Sequence, residues 1–96
     1  MDKEKLEVLE RAAHMLKVMA HPLRMAIVNI LIDQKTQTVG QIQRQLGITQ
    51  SMTSQHLSLM KGIGVLECDK VANVCNYSIK NKNILKLLHC VENCAK

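Results

Sequence analysis

Two sets of side chains in this chain can do chemistry: four cysteines and the polar face of one helical stretch. Cys90 and Cys94 are spaced one helical turn apart. Two thiolates at that spacing can hold a soft thiophilic ion such as As(III), Cd(II) or Cu(I), with a third sulfur from a partner subunit or from Cys68 or Cys75. An i,i+4 disulfide fits poorly within an intact helix, whereas persulfide chemistry, which inserts sulfur between two thiols, relaxes that limit. Cys68 and Cys75 can face each other across a hairpin, where oxidation would stiffen or twist it. The alternative for all four is packing, since cysteine behaves as a small hydrophobe. A structural zinc site would want a Cys-x-x-Cys knuckle, and none occurs. Of the four histidines, His56 reads as a buried hydrogen-bonder and none as a ligand. No Cys-x-x-Cys redox motif, paired catalytic constellation or phosphate-cradling glycine loop is present, so no enzyme is expected.

The polar set lies in TVGQIQRQLGITQSMTSQHLSLMKGI, residues 38–63. Thr38 and Gln41 form a capping box for a first helix with Val39, Ile42 and Leu46 on one edge. Gly47 suits its left-handed C-terminal cap, and Thr49 N-caps a second helix. There Ile48, Met52, His56, Leu59, Met60 and Ile63 share one side. Gln50, Ser51, Ser54, Gln55, Ser58 and Lys61 share the other, which is neutral, rich in donors and acceptors, and suited to a major groove. No Asp or Glu occurs between Asp33 and Glu67, while Lys35, Arg44 and Lys61 do. A surface that faces phosphates has that one-sided charge.

Helices and a hairpin must position these groups. Residues 2–20 form a first helix whose Leu6, Leu9, Ala13, Leu16 and Ala20 make a heptad-like stripe for a helix partner. His21-Pro22 breaks it, and Pro22 opens an almost fully buried helix to about Gln34. Residues 34–37 are a polar connector. VLECD and VCNYSI are two strands of a hairpin; with the turn centred on Val71-Ala72, Leu66 pairs with Tyr77 and Cys68 with Cys75. Residues 81–95 are a closing helix striped with Ile84, Leu87, Leu88 and Val91. The predicted fold is mainly α with a small β-hairpin, a winged helix-turn-helix of order α-α-α-α-β-β-α. It is one domain over 1–96, with dimerisation helices at 1–20 and 81–96, the helix-turn-helix at 38–63 and the wing at 65–79.

Composition agrees. The net charge is +5, and four of the eight acids lie in the first ten residues, so the body from Arg11 onward carries +7 and suits a polyanion. There is no Phe or Trp and a single Tyr, which argues against the aromatic platforms that stack single-stranded bases. The N-terminus is charged and helical in pattern, and no apolar run reaches membrane-span length. A cytoplasmic protein with reduced cysteines and no membrane partner is the expectation.

The chain resembles the ArsR/SmtB family of small winged-helix repressors. The resemblance is carried by LKVMAHPLRMAIVNIL, by LGITQSMTSQHLSLMKGIGVLE with its Ser-Gln-His-Leu run, and by the closing NYSI of the wing. It implies a cytosolic homodimer joined by its first and last helices, binding a palindromic double-stranded operator and released by a chemical signal. It implies base reading by Gln50, Ser51, Thr53, Ser54 and Gln55, and phosphate contacts from Arg44, Lys61 and Lys70. The wing tip, Val71-Ala72-Asn73, departs from the family's Gly-Arg. The family's Cys-x-Cys metal site falls on residues 36–39, which hold no soft ligand. Its zinc site on the last helix falls on Asn81-Lys82-Asn83, and its dithiol sensor position in the second helix falls on Val28-Asn29. No resident cofactor is implied; As(III), a soft metal or a persulfide at Cys90, Cys94, Cys68 and Cys75 is the expected inducer. A regulator of the same fold with no inducer is the alternative.

Overall fold

Asp2 and Pro22 set where the first two helices begin in the computed structural model, which describes residues 1–96. The Asp2 carboxylate accepts the Lys5 N–H at 2.7 Å and caps α1 (Lys3–Met19). Pro22 opens α2 (Pro22–Gln34) behind an extended His21 whose Nδ1 accepts the Leu23 N–H at 3.1 Å. The break bends the chain by 92°. Helix α2 buries Ile27, Val28 and Leu31. It is less enclosed than predicted: Asn29, Ile32 and Asp33 are exposed, and on this side Asn29 Nδ2 donates to Glu92 Oε1 near the C-terminus at 2.6 Å.

Lys35 then holds φ 60°, ψ −58°, and the Thr36 N–H donates to the Gln34 carbonyl at 2.7 Å, closing a γ-turn. The turn aims the chain into β1 (Gln37–Thr38), which pairs with β3 (Val74–Ile79) as Gln37↔Tyr77 and Thr38↔Asn76. A two-residue strand is too short for alternation to show, so the sequence presents it as connector.

Helices α3 (Val39–Leu46) and α4 (Gln50–Gly62) have the predicted ends. Both halves of the Thr38–Gln41 capping box form. Gly47 sits at φ 69°, where a residue with a Cβ would be strained, and Thr49 accepts the Met52 N–H at 3.1 Å.

Strands β2 (Leu66–Val71) and β3 (Val74–Ile79) pair antiparallel, giving the sheet order β1-β3-β2. The register is Leu66↔Ile79, Cys68↔Tyr77 and Lys70↔Cys75, two residues from the predicted one. The turn is Ala72-Asn73, both at positive φ, because asparagine tolerates the left-handed region better than valine does. A two-residue shift preserves side-chain facing, so the sheet still lays Leu66, Tyr77 and Ile79 on the core.

Helix α5 (Asn83–Ala95) closes the chain and buries Ile84 and Leu88. They join Met19, Ile27, Val28, Leu31, Ile42, Leu57, Met60 and Val65 in one aliphatic core. The fold is the predicted winged helix-turn-helix, with β1 added. Its radius of gyration, 14.2 Å, exceeds the about 13 Å of a compact 100-residue domain. Consistent with that elongation, most of α1 lies exposed, while only Val18 and Met19 near its end are buried. No single helix is long and apolar enough to cross a membrane.

Candidate nucleic-acid interface

Helix α4 is anchored along Thr53, His56, Leu57 and Met60, spaced i, i+3, i+4 and i+7. This rotates the expected apolar face. Met52 and Leu59, predicted inward, are 44% and 47% exposed. Thr53, carried over as a base reader, is fully buried, and its hydroxyl donates to the Thr49 carbonyl at 2.9 Å. That bond satisfies the hydroxyl within the helix, so threonine can occupy a core position and cannot reach a base. The opposite side of α4 carries Ser51, Ser54, Gln55, Ser58 and Leu59, which line one shallow groove. Gln50 and Lys61 are also exposed. This side offers hydroxyl and amide donors and acceptors with two apolar contacts, Met52 and Leu59, at its margin.

Arg44 in the last turn of α3, Lys61 in the last turn of α4 and Lys70 on β2 are all exposed. Each cation is therefore free to meet a phosphate.

The angle of α4 is braced from behind. Arg24 Nε donates to His56 Nδ1 at 3.1 Å, and Arg24 Nη1 donates to the Val18 carbonyl at 2.9 Å. One guanidinium thus ties α4 to α2 and to the end of α1. The His21 and His56 rings lie 4.7 Å apart. His56 was legible as a buried hydrogen-bonder, but its donor, 32 residues away, left no spacing signal. Burial lowers the His56 pKa below 6.5, and its electrostatic interactions with His21 and Arg24 lower it further. With a depressed folded-state value, the unfolded chain binds the extra proton first, so this contribution is complete above about pH 6.5 and is lost as pH falls through the folded pKa. Melting temperature should fall as the buffer is taken from pH 7.5 toward pH 5.5. His56→Gln, which keeps an acceptor for Arg24 without a titrating ring, should flatten that fall. An unchanged pH profile in the variant would contradict the brace.

The cysteines divide into two pairs. Cys68 and Cys75 form a disulfide with Cα atoms 5.6 Å apart, and Cys90 and Cys94 are free and exposed. While that bond is closed the wing offers no third sulfur to α5, since both its sulfurs are bonded to each other. No three Cys, His, Asp or Glu side chains converge to hold a metal within the protomer. His89 lies beside Asn93, 3.2 Å from its amide nitrogen.

Two apolar stripes have no partner in the protomer. Leu6, Leu9 and Leu16 are exposed along α1, and Leu87 and Val91 along α5. Ala12, Met15, Leu16, Ile84 and Leu87 line a cleft of about 350 Å³ where the two helices approach.

A helix-turn-helix with an acid-free polar face, backed by a core and flanked by a two-stranded wing, defines a winged-helix DNA-binding domain. The model of bacterial regulatory proteins of the arsR family matches residues 21–67, from the α2 cap into β2. The transcriptional repressor PagR of Bacillus anthracis is 42% identical over 87 residues, covering 88% of this chain and 87% of that protein. The HTH-type transcriptional regulator YgaV of Escherichia coli is 34% identical over 84 residues, covering 88% and 85%. The PagR crystal structure superposes with a TM-score of 0.80 at 38% identity, covering 90% of this chain and 98% of that one. NolR from Sinorhizobium fredii superposes at 0.84 with 30% identity, covering 97% and 92%. The chain belongs to the arsR family, and it is a DNA-binding transcriptional regulator rather than an enzyme.

Proposed function

We propose that this protein is a cytoplasmic homodimeric repressor that holds a palindromic operator and responds to a thiol-reactive or thiophilic signal at its cysteines. The observation that carries the DNA part is the outward side of α4, where Ser51, Ser54, Gln55 and Ser58 line one groove and the sequence is free of acids from Gln34 to Leu66. Gln50, Ser51, Ser54 and Gln55 read base edges in the major groove, and Arg44, Lys61 and Lys70 neutralise phosphates.

The dimer rests on the exposed stripes of α1 and α5. A 96-residue chain that leaves Leu6, Leu9, Leu16, Leu87 and Val91 uncovered has apolar surface to bury against a second copy. Two recognition helices related by a two-fold axis require an inverted repeat.

For the signal, Cys90 and Cys94 are exposed at the outer edge of the α5 stripe. A soft ion or persulfide held there acts next to the seam between protomers, with any third ligand coming from the partner. The test is release. As(III), Cd(II), Cu(I) or a persulfide donor is titrated into the protein–DNA complex, followed by fluorescence anisotropy. Release by one of them, abolished by Cys90→Ser or Cys94→Ser, supports α5 as the sensor. No release by any would make this a regulator without a thiophilic inducer.

A further inference from the structure

Cys68 and Cys75 are not directly opposed in the ladder. Cys68 faces Tyr77 and Cys75 faces Lys70, so the two cysteines are diagonal neighbours on the core-facing side of the wing. Their Cα atoms stand 5.6 Å apart, against the roughly 7–8 Å usual for such a diagonal, and within bridging range. Both are half-buried against the core.

The bond closes a ring whose other members are Asp69, Lys70, Val71, Ala72, Asn73 and Val74, the whole wing tip. That tip needs help to stay ordered. Its turn places Ala72 at φ 52°, a region disfavoured for a residue with a Cβ, and Val71 and Val74 are exposed. The root of the ring is fixed. Asn76 and Tyr77, directly after Cys75, pair with Thr38 and Gln37, and Thr38 caps α3 of the helix-turn-helix. The crosslink therefore joins the exposed end of the wing, with Lys70 on it, to the part of the sheet that positions α3.

Disulfides in the reducing cytosol, where bacterial DNA lies, are characteristically transient and redox-sensing. We infer that Cys68 and Cys75 are a redox-modification site, closed by a hydroperoxide and reopened by a cellular dithiol, that sets how firmly the wing tip grips DNA. The inference rests on the DNA-binding role proposed above and adds a second control point beside α5. In closing, one thiolate attacks the O–O bond of hydrogen peroxide, forming a sulfenic acid and releasing hydroxide, which takes up the proton lost by that thiol. The second thiol attacks that sulfur, the S–S bond forms, and the hydroxyl departs as a second water. Two thiols and one peroxide become one disulfide and two waters. Reopening exchanges this bond for the disulfide of the dithiol. The closed ring holds Lys70 in place before DNA arrives; the open wing must order it on binding.

The test uses the full chain carrying Cys90→Ser and Cys94→Ser, so that only the wing pair reacts. A peroxide-treated sample, shown by intact mass to have lost two hydrogens, is compared with a dithiothreitol-reduced one. The probe is a duplex that the reduced protein selects from a random-sequence pool. The oxidised protein should bind about tenfold tighter, the gain from ordering one or two long side chains in advance. Its log–log salt dependence should be steeper by about 0.9, one additional phosphate contact. Cys75→Ser should abolish both differences, and Lys70→Ala should abolish the difference in slope. Equal affinity and slope in both states, weaker binding after oxidation, or failure of peroxide to join the pair overturns the inference and leaves the DNA-binding role intact. Failure to select any duplex overturns that role and this inference with it.

Discussion

Leu16→Asp should convert the protein to a monomer and lower its affinity for a two-half-site duplex by about 10²–10⁴-fold, the avidity lost when two linked recognition helices become independent. Leu16 is 51% exposed on the outer stripe of α1, in series with Leu6, Leu9, Ala13 and Ala20. The helix holds the body through different residues, Met15, Val18 and Met19. An aspartate at position 16 is therefore solvated in a monomer but would bring an unpaired carboxylate into the dimer seam. Light scattering after size exclusion should show half the mass, and circular dichroism should show the helices retained. A dimer that survives the substitution would remove the α1 stripe from the interface. A monomer with undiminished grip on both half-sites would show that dimerisation contributes nothing to binding.

Leu57→Ala should cost about 2–5 kcal/mol of folding free energy, because it removes a fully buried side chain from the centre of the core. Against the about 5–15 kcal/mol typical of a whole domain, that is a large fraction. Met52→Ala, on the exposed side of the same helix, should change stability by no more than about 0.5 kcal/mol. Urea unfolding of the two variants fixes the rotational setting of α4. The reverse order of effects would put Met52 in the core, Leu57 outside, and the proposed reading face against the body.

That contrast marks how far the sequence leads. Most helix ends were legible because their determinants are local: Pro22, Thr38 with Gln41, Gly47 and Thr49 each act within a few residues of themselves. The stripes on α1 and α5 were legible for the same reason, since i,i+3 and i,i+4 spacing needs no knowledge of the partner. The setting of α4 was not, because a threonine that satisfies its own hydroxyl packs like an apolar residue, and hydrophobicity alone favours Met52 over Thr53. The wing register depends on which two residues accept positive φ, and Ala72-Asn73 carries no glycine to announce it. The Arg24–His56 bond and the β1–β3 pairing are long-range, so nothing in their local sequence specifies them. Of the positions expected to read bases, Gln50, Ser51 and Gln55 are exposed, Ser54 is half-buried beside them and Thr53 is fully buried.

The most direct test of the central claim, that α4 reads operator DNA, is selection of binding sites from a random-sequence duplex pool by the reduced protein, repeated with Gln55→Ala. The expected result is an inverted repeat with half-sites about 10 base pairs apart, or a multiple of that spacing. Gln55→Ala should relax preference at one position per half-site and weaken binding by about 1–3 kcal/mol. Lys61→Ala, run on the same site, should weaken all duplexes alike and flatten the salt dependence. Enrichment of no motif, or the same motif and affinity with Gln55→Ala, would contradict the assignment of α4 as the reading helix.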